Sequence, residues 1–244
     1  MLHSILNNFC KYKSIYYKTN IGFLIIILFG IYSVPKIIDR LSNENVIDTN
    51  RLHQKEELSF LKIDGKDRKV PDFVLTNQDS LFISNDDLLG KVYVLEFFFS
   101  RCPDICIEMN KNMKKLDDTF GDLDDFGIVS ITIDPYHDTP IILKKYSENL
   151  EVKSKDWHFL TGERDYIYDL ANNGFNIYAN ENPNFAGGFE HQGYFALIDK
   201  QGYIRSRNDD YGNPLLYYLG INDENIDLQG IDMLEYDIKK LIDE

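Results

Sequence analysis

Two long apolar runs dominate the pattern of hydrophobic and polar positions along the chain. Residues 92–99 are apolar apart from Glu96, and residues 126–133 are rich in β-branched side chains, so both runs predict buried strands. Between them, apolar residues recur at helical spacing and predict a helix from near Pro103 to about Phe120, closed by Gly121. Two such strands joined by a helix form a right-handed βαβ unit with a parallel strand pair.

The remaining apolar segments continue this unit with a helix, a short strand, a second helix, a long loop, a β-hairpin and a last helix. The helices are predicted at residues 141–149, at 165–173, where Gly174 closes the helix, and at 231–241. The short strand is predicted at 157–160, the long loop at 175–178 and 180–188, and the hairpin at 193–199 and 203–207. Ahead of the unit, residues 70–75 predict an added strand, residues 77–80 a hairpin turn and residues 83–89 a connecting segment. A βαβ unit followed by a helix, a hairpin and a helix is the thioredoxin arrangement. The sequence therefore predicts an α/β, thioredoxin-like fold with an added N-terminal strand or hairpin and an extra helix and strand at 141–160.

An apolar run near the N-terminus predicts a membrane anchor. Residues 21–38 reach about 18 residues once Lys36 snorkels, which is near the lower limit for a transmembrane helix. A cleaved signal peptide is the alternative, but no small-x-small cleavage site follows the run, so we expect an uncleaved anchor. The predicted organisation is a basic cytoplasmic tail at 1–20, a transmembrane anchor at 21–38, a tether at 39–57 and a folded domain at 58–244.

Charge supports this topology and excludes one class of partner. The formal net charge is −14, which argues against nucleic acid because phosphate binding needs a basic surface. Residues 1–40 carry five basic side chains against Asp39, a net of +4, so the remainder carries −18. The positive-inside rule then places the tail in the cytoplasm and the domain on the periplasmic or extracytoplasmic side of the inner membrane, as a single-pass protein.

A pair of cysteines at the predicted helix start is the strongest chemical signal. Cys102 and Cys106 lie four residues apart, with Pro103 and Asp104 in the first turn. Residues i and i+4 share one helix face, so two thiols there can close a disulfide or bind one soft metal ion. The helix N-terminus also favours the reactive thiolate. The plain alternative is a pair of buried structural cysteines, while Cys10 precedes the anchor and faces the reducing side.

A third ligand would hold a soft ion better, and the exported histidines are its candidates. We expect His53 to be solvated in the tether, His137 to have a surface or packing role in the 134–140 loop, and His158 to pack at a strand edge. His191 lies just before the predicted hairpin, where a thioredoxin topology brings the chain to the cysteine-bearing helix start. Spacing alone leaves a metal ligand and a polar loop residue equally open for His191.

The complete motif set resembles the Sco/SenC family over residues 70–207. The set comprises Cys102-Pro103-Asp104-Ile105-Cys106 after FFFS, Asp134-Pro135 with Asp138-Thr139-Pro140, and His191 before YFALID. The resemblance implies a thioredoxin-like, membrane-anchored copper protein that assists assembly of the binuclear copper site of cytochrome c oxidase. It implies Cys102, Cys106 and His191 as ligands of copper, Cu(I) or Cu(II), and the copper-bearing oxidase subunit as partner.

Two departures from the family pattern leave these ligands in place. Ile107 stands where the family often has proline, and Glu190 stands where it often has aspartate before the histidine. We expect Glu190 to keep a carboxylate available to orient the imidazole. Asp134 and Asp138 are expected to fix their loop, with Asp138 or Thr139 capping the next helix.

Two other functions could use the same cysteines. A thiol–disulfide oxidoreductase would exchange disulfides with a partner through Cys102 and Cys106 and would not need His191. A thiol peroxidase would use one cysteine as the peroxidatic group and the other as the resolving group.

Overall fold

The computed structural model describes residues 27–35, 57–63, 65–208, 215–225 and 228–244. The chain divides into two compact units, Met1–Glu56 and Glu57–Glu244. In the first unit, residues 27–35 are helical. Within the described residues, no helix is both long enough and apolar enough to cross a membrane. The predicted tail at 1–20, the rest of the predicted anchor at 21–38 and the tether up to residue 56 lie outside the described residues, so the anchor stays a prediction.

The second unit alternates strands and helices. Its strands are β1 (Ser59–Phe60), β2 (Lys62–Ile63), β3 (Lys66–Asp67), β4 (Val74–Asn77), β5 (Phe82–Ser84), β6 (Val92–Phe98), β7 (Phe126–Thr132), β8 (Trp157–Thr161), β9 (Ala179–Glu181), β10 (Phe189–His191), β11 (Tyr194–Ile198), β12 (Ile204–Ser206) and β13 (Tyr218–Leu219). Its helices are α1 (Ile105–Phe120), α2 (Pro140–Asn149), α3 (Arg164–Asp169) and α4 (Gly230–Asp243).

One mixed sheet organises the described part of this unit. Its strand order is β1-β12-β11-β6-β7-β8-β4-β5, and β13 pairs with β11. β6, β7 and β8 are parallel, whereas β11 and β4 pair antiparallel on either side of them. Every residue of β6 and β7 is buried, as expected for apolar parallel strands that are covered on both faces. The predicted βαβ unit and the β11–β12 hairpin are confirmed.

Helix α1 carries the predicted apolar stripe but starts later than expected. Its buried side chains include Cys106, Met109, Met113 and Leu116, which are spaced three or four residues apart. The helix begins at Ile105 rather than near Pro103, because Asp104 has a non-helical backbone (φ −128°, ψ −118°). Cys106 therefore lies in the first turn of the helix, and Cys102 lies in the loop before it.

The predictions for the added N-terminal segment were partly wrong. The predicted strand at 70–75 lies instead at β4, which pairs with β5 and β8. The Asn77 side chain accepts hydrogen bonds from the N–H groups of Asp79 and Leu81, which confirms the hairpin turn. The predicted connecting segment at 83–89 contains the end of β5 and a 3₁₀ turn, Asn85–Leu88, which is capped by Ser84.

The predicted helix at 165–173 was also wrong at its end. Helix α3 stops at Asp169 and widens into a π-type turn, Leu170–Phe175. Asn176 ends that turn with a left-handed backbone (φ 55°), so Gly174 is not the terminator. The predicted loop that follows contains β9 and β10, which pair antiparallel outside the main sheet.

A buried carboxyl group lies in the central strand. Glu96 is fully buried in β6, where Ser130 donates a hydrogen bond to its Oε1 over 2.8 Å. Ser130 in turn accepts from the indole N–H of Trp157. Burial raises the pKa of Glu96 from 4.5 to about 8, because the low-dielectric core disfavours the carboxylate. Glu96 is therefore a neutral acid at pH 7.

We expect Glu96 to make the protein less stable as the pH rises from about 4.5 to about 8. In that window the unfolded chain releases this proton while the folded chain keeps it, so the free energy of unfolding falls, by at most about 1.4 kcal/mol per pH unit. Urea unfolding of the wild type and of Glu96→Gln at pH 5, 6.5 and 8 measures the difference in slope. Parallel pH profiles for the two proteins would contradict this assignment.

Candidate metal centre

The turn after β6 is held by a carboxylate from the neighbouring strand's loop. Asp138 is fully buried and accepts hydrogen bonds from the N–H and the hydroxyl of Ser100 and, over 2.5 Å, from Thr132. Thr139 is the N-cap of α2 and Pro140 is its first residue, so the predicted cap position is confirmed, but the Thr139 side chain forms no capping hydrogen bond. Asp138 instead ties the carboxyl end of β7 to the turn that leads to Cys102.

A second aspartate fixes the next residue of the same turn. Asp134 is buried and accepts a 2.7 Å hydrogen bond from Nε of Arg101, whose guanidinium also lies 6.0 Å from the centre of the Phe189 ring. Asp134 and Asp138 thus fix the loop, as expected. Among the described residues, the group of side chains placed to share a metal ion is Cys102, Cys106 and His191.

The two sulfurs differ in exposure and in proton affinity. Both cysteines are free thiols; Cys106 is buried and Cys102 is half-buried. The hydrogen bond from the Cys106 thiol is the largest cause that lowers the pKa of Cys102, to about 4. The same bond, together with burial, raises the pKa of Cys106. At neutral pH the metal-free pair therefore holds one proton, with a partly exposed thiolate at Cys102 and a buried thiol at Cys106.

His191 completes the group from β10. Its Nε2 lies 3.1 Å from the Cys106 sulfur, and the ligand atoms of all three residues lie within 4.8 Å of one another. Its Nδ1 lies 3.2 Å from the carbonyl oxygen of Gln192, which can only accept a hydrogen bond. A proton on Nδ1 can donate to that carbonyl, which leaves the lone pair of Nε2 available to a metal ion.

Glu190 does not orient the imidazole, contrary to expectation. Its carboxylate accepts a hydrogen bond from the Asn182 side chain over 3.0 Å, on the other face of the strand. The carbonyl of Gln192 takes the orienting role instead, which is a common arrangement for metal-binding histidines.

A close approach of the backbone holds β10 over the cysteine loop. Gly187 has a left-handed backbone (φ +75°), and a Cβ there would lie 2.7 Å from the Phe99 ring. The Phe99 ring also contacts His191, with ring centres 6.0 Å apart. Sequence reasoning missed the β9–β10 pair, and its one available signal was the Gly187-Gly188 turn ahead of the histidine.

The other histidines lie outside the group, as far as the chain is described. His137 is exposed in the loop after β7. His158 is a strand residue of β8, as expected; it pairs with Val129 of β7, whereas β4 pairs with β8 only at Leu160 and Thr161. Burial lowers the pKa of His158. His53 lies outside the described residues.

Fold and site together define a thioredoxin-like protein with a Cys₂His group at the carboxyl end of its central parallel strands. The SCO1/SenC family model matches residues 62–215. The chain belongs to the SCO1/SenC family, and the resemblance seen in the sequence is confirmed.

Comparisons with individual proteins agree with this assignment. The chain is 30% identical over 138 residues to the SCO1 protein homolog of Bacillus subtilis, covering 56% of this chain and 71% of the relative. The structure of BsSco, described as a cytochrome c oxidase assembly protein with a disulfide switch, is 27% identical with a TM-score of 0.57, covering 71% of this chain and 92% of that one. A copper-bound ScoI of Bradyrhizobium japonicum shares the fold at 21% identity and a TM-score of 0.55, covering 71% and 99%.

The lowered pKa of Cys102 predicts how it reacts in the metal-free protein. Because the thiolate is the nucleophile, alkylation of Cys102 by iodoacetamide should be nearly independent of pH between 5.5 and 8, and should slow only near pH 4. Replacing Cys106 by alanine removes the hydrogen bond and raises the Cys102 pKa, so alkylation at pH 5.5 should slow at least about ten-fold. Mass spectrometry of the modified cysteine follows the rate; an equal rate in the two proteins would refute the thiolate assignment.

Proposed function

We propose that this chain is a membrane-anchored copper chaperone that takes part in assembly of the copper site of cytochrome c oxidase. The observation that carries the proposal is the Cys₂His group, with its three ligand atoms within 4.8 Å. Thiolates suit Cu(I), and imidazole suits copper in either common oxidation state. Family membership supports the oxidase as destination, since BsSco is described as a member of a family of cytochrome c oxidase assembly proteins.

The donor set fits a copper ion that is carried and then released. Cys102, Cys106 and His191 would hold it, and the half-buried Cys102 gives an acceptor access to one side of the group. Three protein ligands leave room for an incoming ligand from the acceptor. The inferred acceptor is the copper-bearing subunit of cytochrome c oxidase.

The two cysteines also favour a second candidate function, a thiol–disulfide oxidoreductase that acts on a partner's cysteines. Its support is the adjacency of a Cys102 thiolate and a Cys106 thiol, the pair that disulfide exchange requires. The relative BsSco is described as having a disulfide switch. The two functions can coexist, because an acceptor's cysteines must be reduced before they bind copper.

Ligand substitutions test the copper assignment. In the full chain, Cys102→Ser, Cys106→Ser and His191→Ala are each expected to weaken copper binding more than about 100-fold, because each removes a metal ligand. His137→Ala is the matched control, since it removes an exposed histidine after β7 and should retain one copper per chain. Titration with Cu(I) and Cu(II), followed by thiolate-to-copper charge-transfer absorption, measures the effect.

The same variants separate the two functions. Unchanged copper binding in Cys102→Ser would reject the site as drawn. Disulfide exchange that survives His191→Ala, in a protein that no longer binds copper, would favour the oxidoreductase.

We propose further that residues 21–38 anchor the chain in the inner membrane, with residues 58–244 on its extracytoplasmic side. The support is the apolar run and the change from net positive to net negative charge across it. The full chain should stay with membranes after alkaline carbonate extraction, and externally added protease should cleave the domain in spheroplasts. Release by carbonate, or protection from the protease, would contradict the anchor or its orientation.

A further inference from the structure

The two edges of the β9–β10 pair are not equivalent. Asn182 N–H donates to the Gly188 carbonyl over 2.9 Å, and Gln192 N–H donates to the Tyr178 carbonyl over 3.1 Å. In an antiparallel pair, every second residue directs its main-chain N–H and C=O groups to the partner strand. Because Gly188 and Gln192 do so, Glu190 between them also bonds to β9. The main-chain groups of Phe189 and His191 therefore point away from β9, towards the outer edge of β10.

Only the β9 edge is closed by a side chain within the described residues. The Asn172 side chain accepts a hydrogen bond from the N–H of Ala179 over 3.1 Å and donates one to its carbonyl over 2.9 Å. Both outward-facing main-chain groups of Ala179 are therefore paired. No described residue forms a hydrogen bond with the outward N–H and C=O groups of Phe189 or His191. Unpaired groups along an exposed strand edge are a template for pairing with another strand.

The side chains of β10 indicate which residue of an added strand would face the two sulfurs. Phe189 and His191 are two residues apart and share the face that contacts Phe99, while Glu190 bonds to Asn182 on the other face. In an antiparallel pair, directly opposite residues share a face with Cβ atoms about 4.5–5.5 Å apart. A residue opposite His191 would therefore project its side chain to the sulfurs of Cys102 and Cys106.

We propose that the outer edge of β10 is the docking site for an extended segment of the polypeptide that exchanges ligands at the Cys₂His group. This inference rests on the proposed function, because that function requires a partner thiol beside His191. The segment adds as an antiparallel third strand, and its cysteine lies opposite His191. The phenyl ring of Phe185, which is 49% exposed, gives the segment an apolar contact near the turn between β9 and β10. A second copy of this chain is disfavoured as occupant, because two chains of net charge −14 repel.

Because successive N–H groups of a strand point to opposite edges, methylating one or the next of them tests the proposed pairing. In the full chain with Cys10→Ser and Cys106→Ser, Cys102 is left as the single cysteine. The probe is the end-blocked peptide Thr-Val-Cys-Val-Thr, with its thiol joined to thionitrobenzoate. The Cys102 thiolate attacks the peptide sulfur, the protein–peptide disulfide forms, and thionitrobenzoate leaves as the anion whose absorbance counts the reaction. Two matched peptides carry an N-methyl group on the cysteine or on the valine that follows it.

Amide hydrogen exchange of Phe189 and His191 is the measurement. Both amides should exchange at least about ten-fold more slowly with the unmodified peptide and with the valine-methylated peptide. Methylation of the cysteine nitrogen removes the donor that faces β10, so that complex should lose the protection. Equal exchange in the three complexes would overturn the proposal. Protection already present without any peptide, in protein that elutes as a dimer, would assign the edge to a second copy instead.

A further variant separates this inference from the copper assignment. His191→Ala keeps the main chain, so in the single-cysteine protein we expect it to retain the protection at positions 189 and 191, and in the chain with its own cysteines we expect it to lose copper. Loss of the protection in this variant would show that the ring, rather than the strand edge, holds the segment. Failure of the unmodified chain to bind copper, with the protection intact, would refute the proposed function and leave the docking edge standing.

Discussion

Parallel pairing of β6 with β7 is the constraint on which the site depends. The two strands run in register from Val92 opposite Phe126 to Phe98 opposite Thr132, and both are buried throughout. Parallel strands bring their carboxyl ends to one edge of the sheet, so the turn that carries Cys102 meets the loop that carries Asp134 and Asp138. The buried aspartates then fix a turn that would otherwise be a flexible surface loop.

The two thiols of the site differ in exposure and in proton affinity. Cys106 is buried in the first turn of α1, whereas Cys102 is half-buried in the turn after β6. One hydrogen bond between them lowers the Cys102 pKa and raises that of Cys106. A reactive, accessible sulfur is thus paired with a protected one, which suits both metal exchange at an open side and disulfide chemistry.

Much of this could be predicted from the sequence, since the signals were local. The apolar run before Cys102, broken only by Glu96, and the four-residue spacing to Cys106 depend only on neighbouring residues. Residue spacing alone left the role of His191 open, and family resemblance was needed to choose it. The reason is physical: β9 and β10 are three residues each, too short for a visible alternation, and their place depends on Gly187 meeting Phe99. The role of Glu190 was misassigned for a similar reason, because its partner Asn182 is set by tertiary packing.

The ring of His191 and the sulfurs sit on parts of the fold with different mechanical support. The sulfurs lie just after the central strand β6 of the large sheet, whereas the imidazole belongs to the two-stranded β9–β10 ribbon outside that sheet. Small peripheral units open at a lower free-energy cost than the core strands do. A transient opening of this ribbon would take the imidazole nitrogen away and leave the dithiol in place, so the group would offer a metal ion two donors instead of three while the domain stays folded.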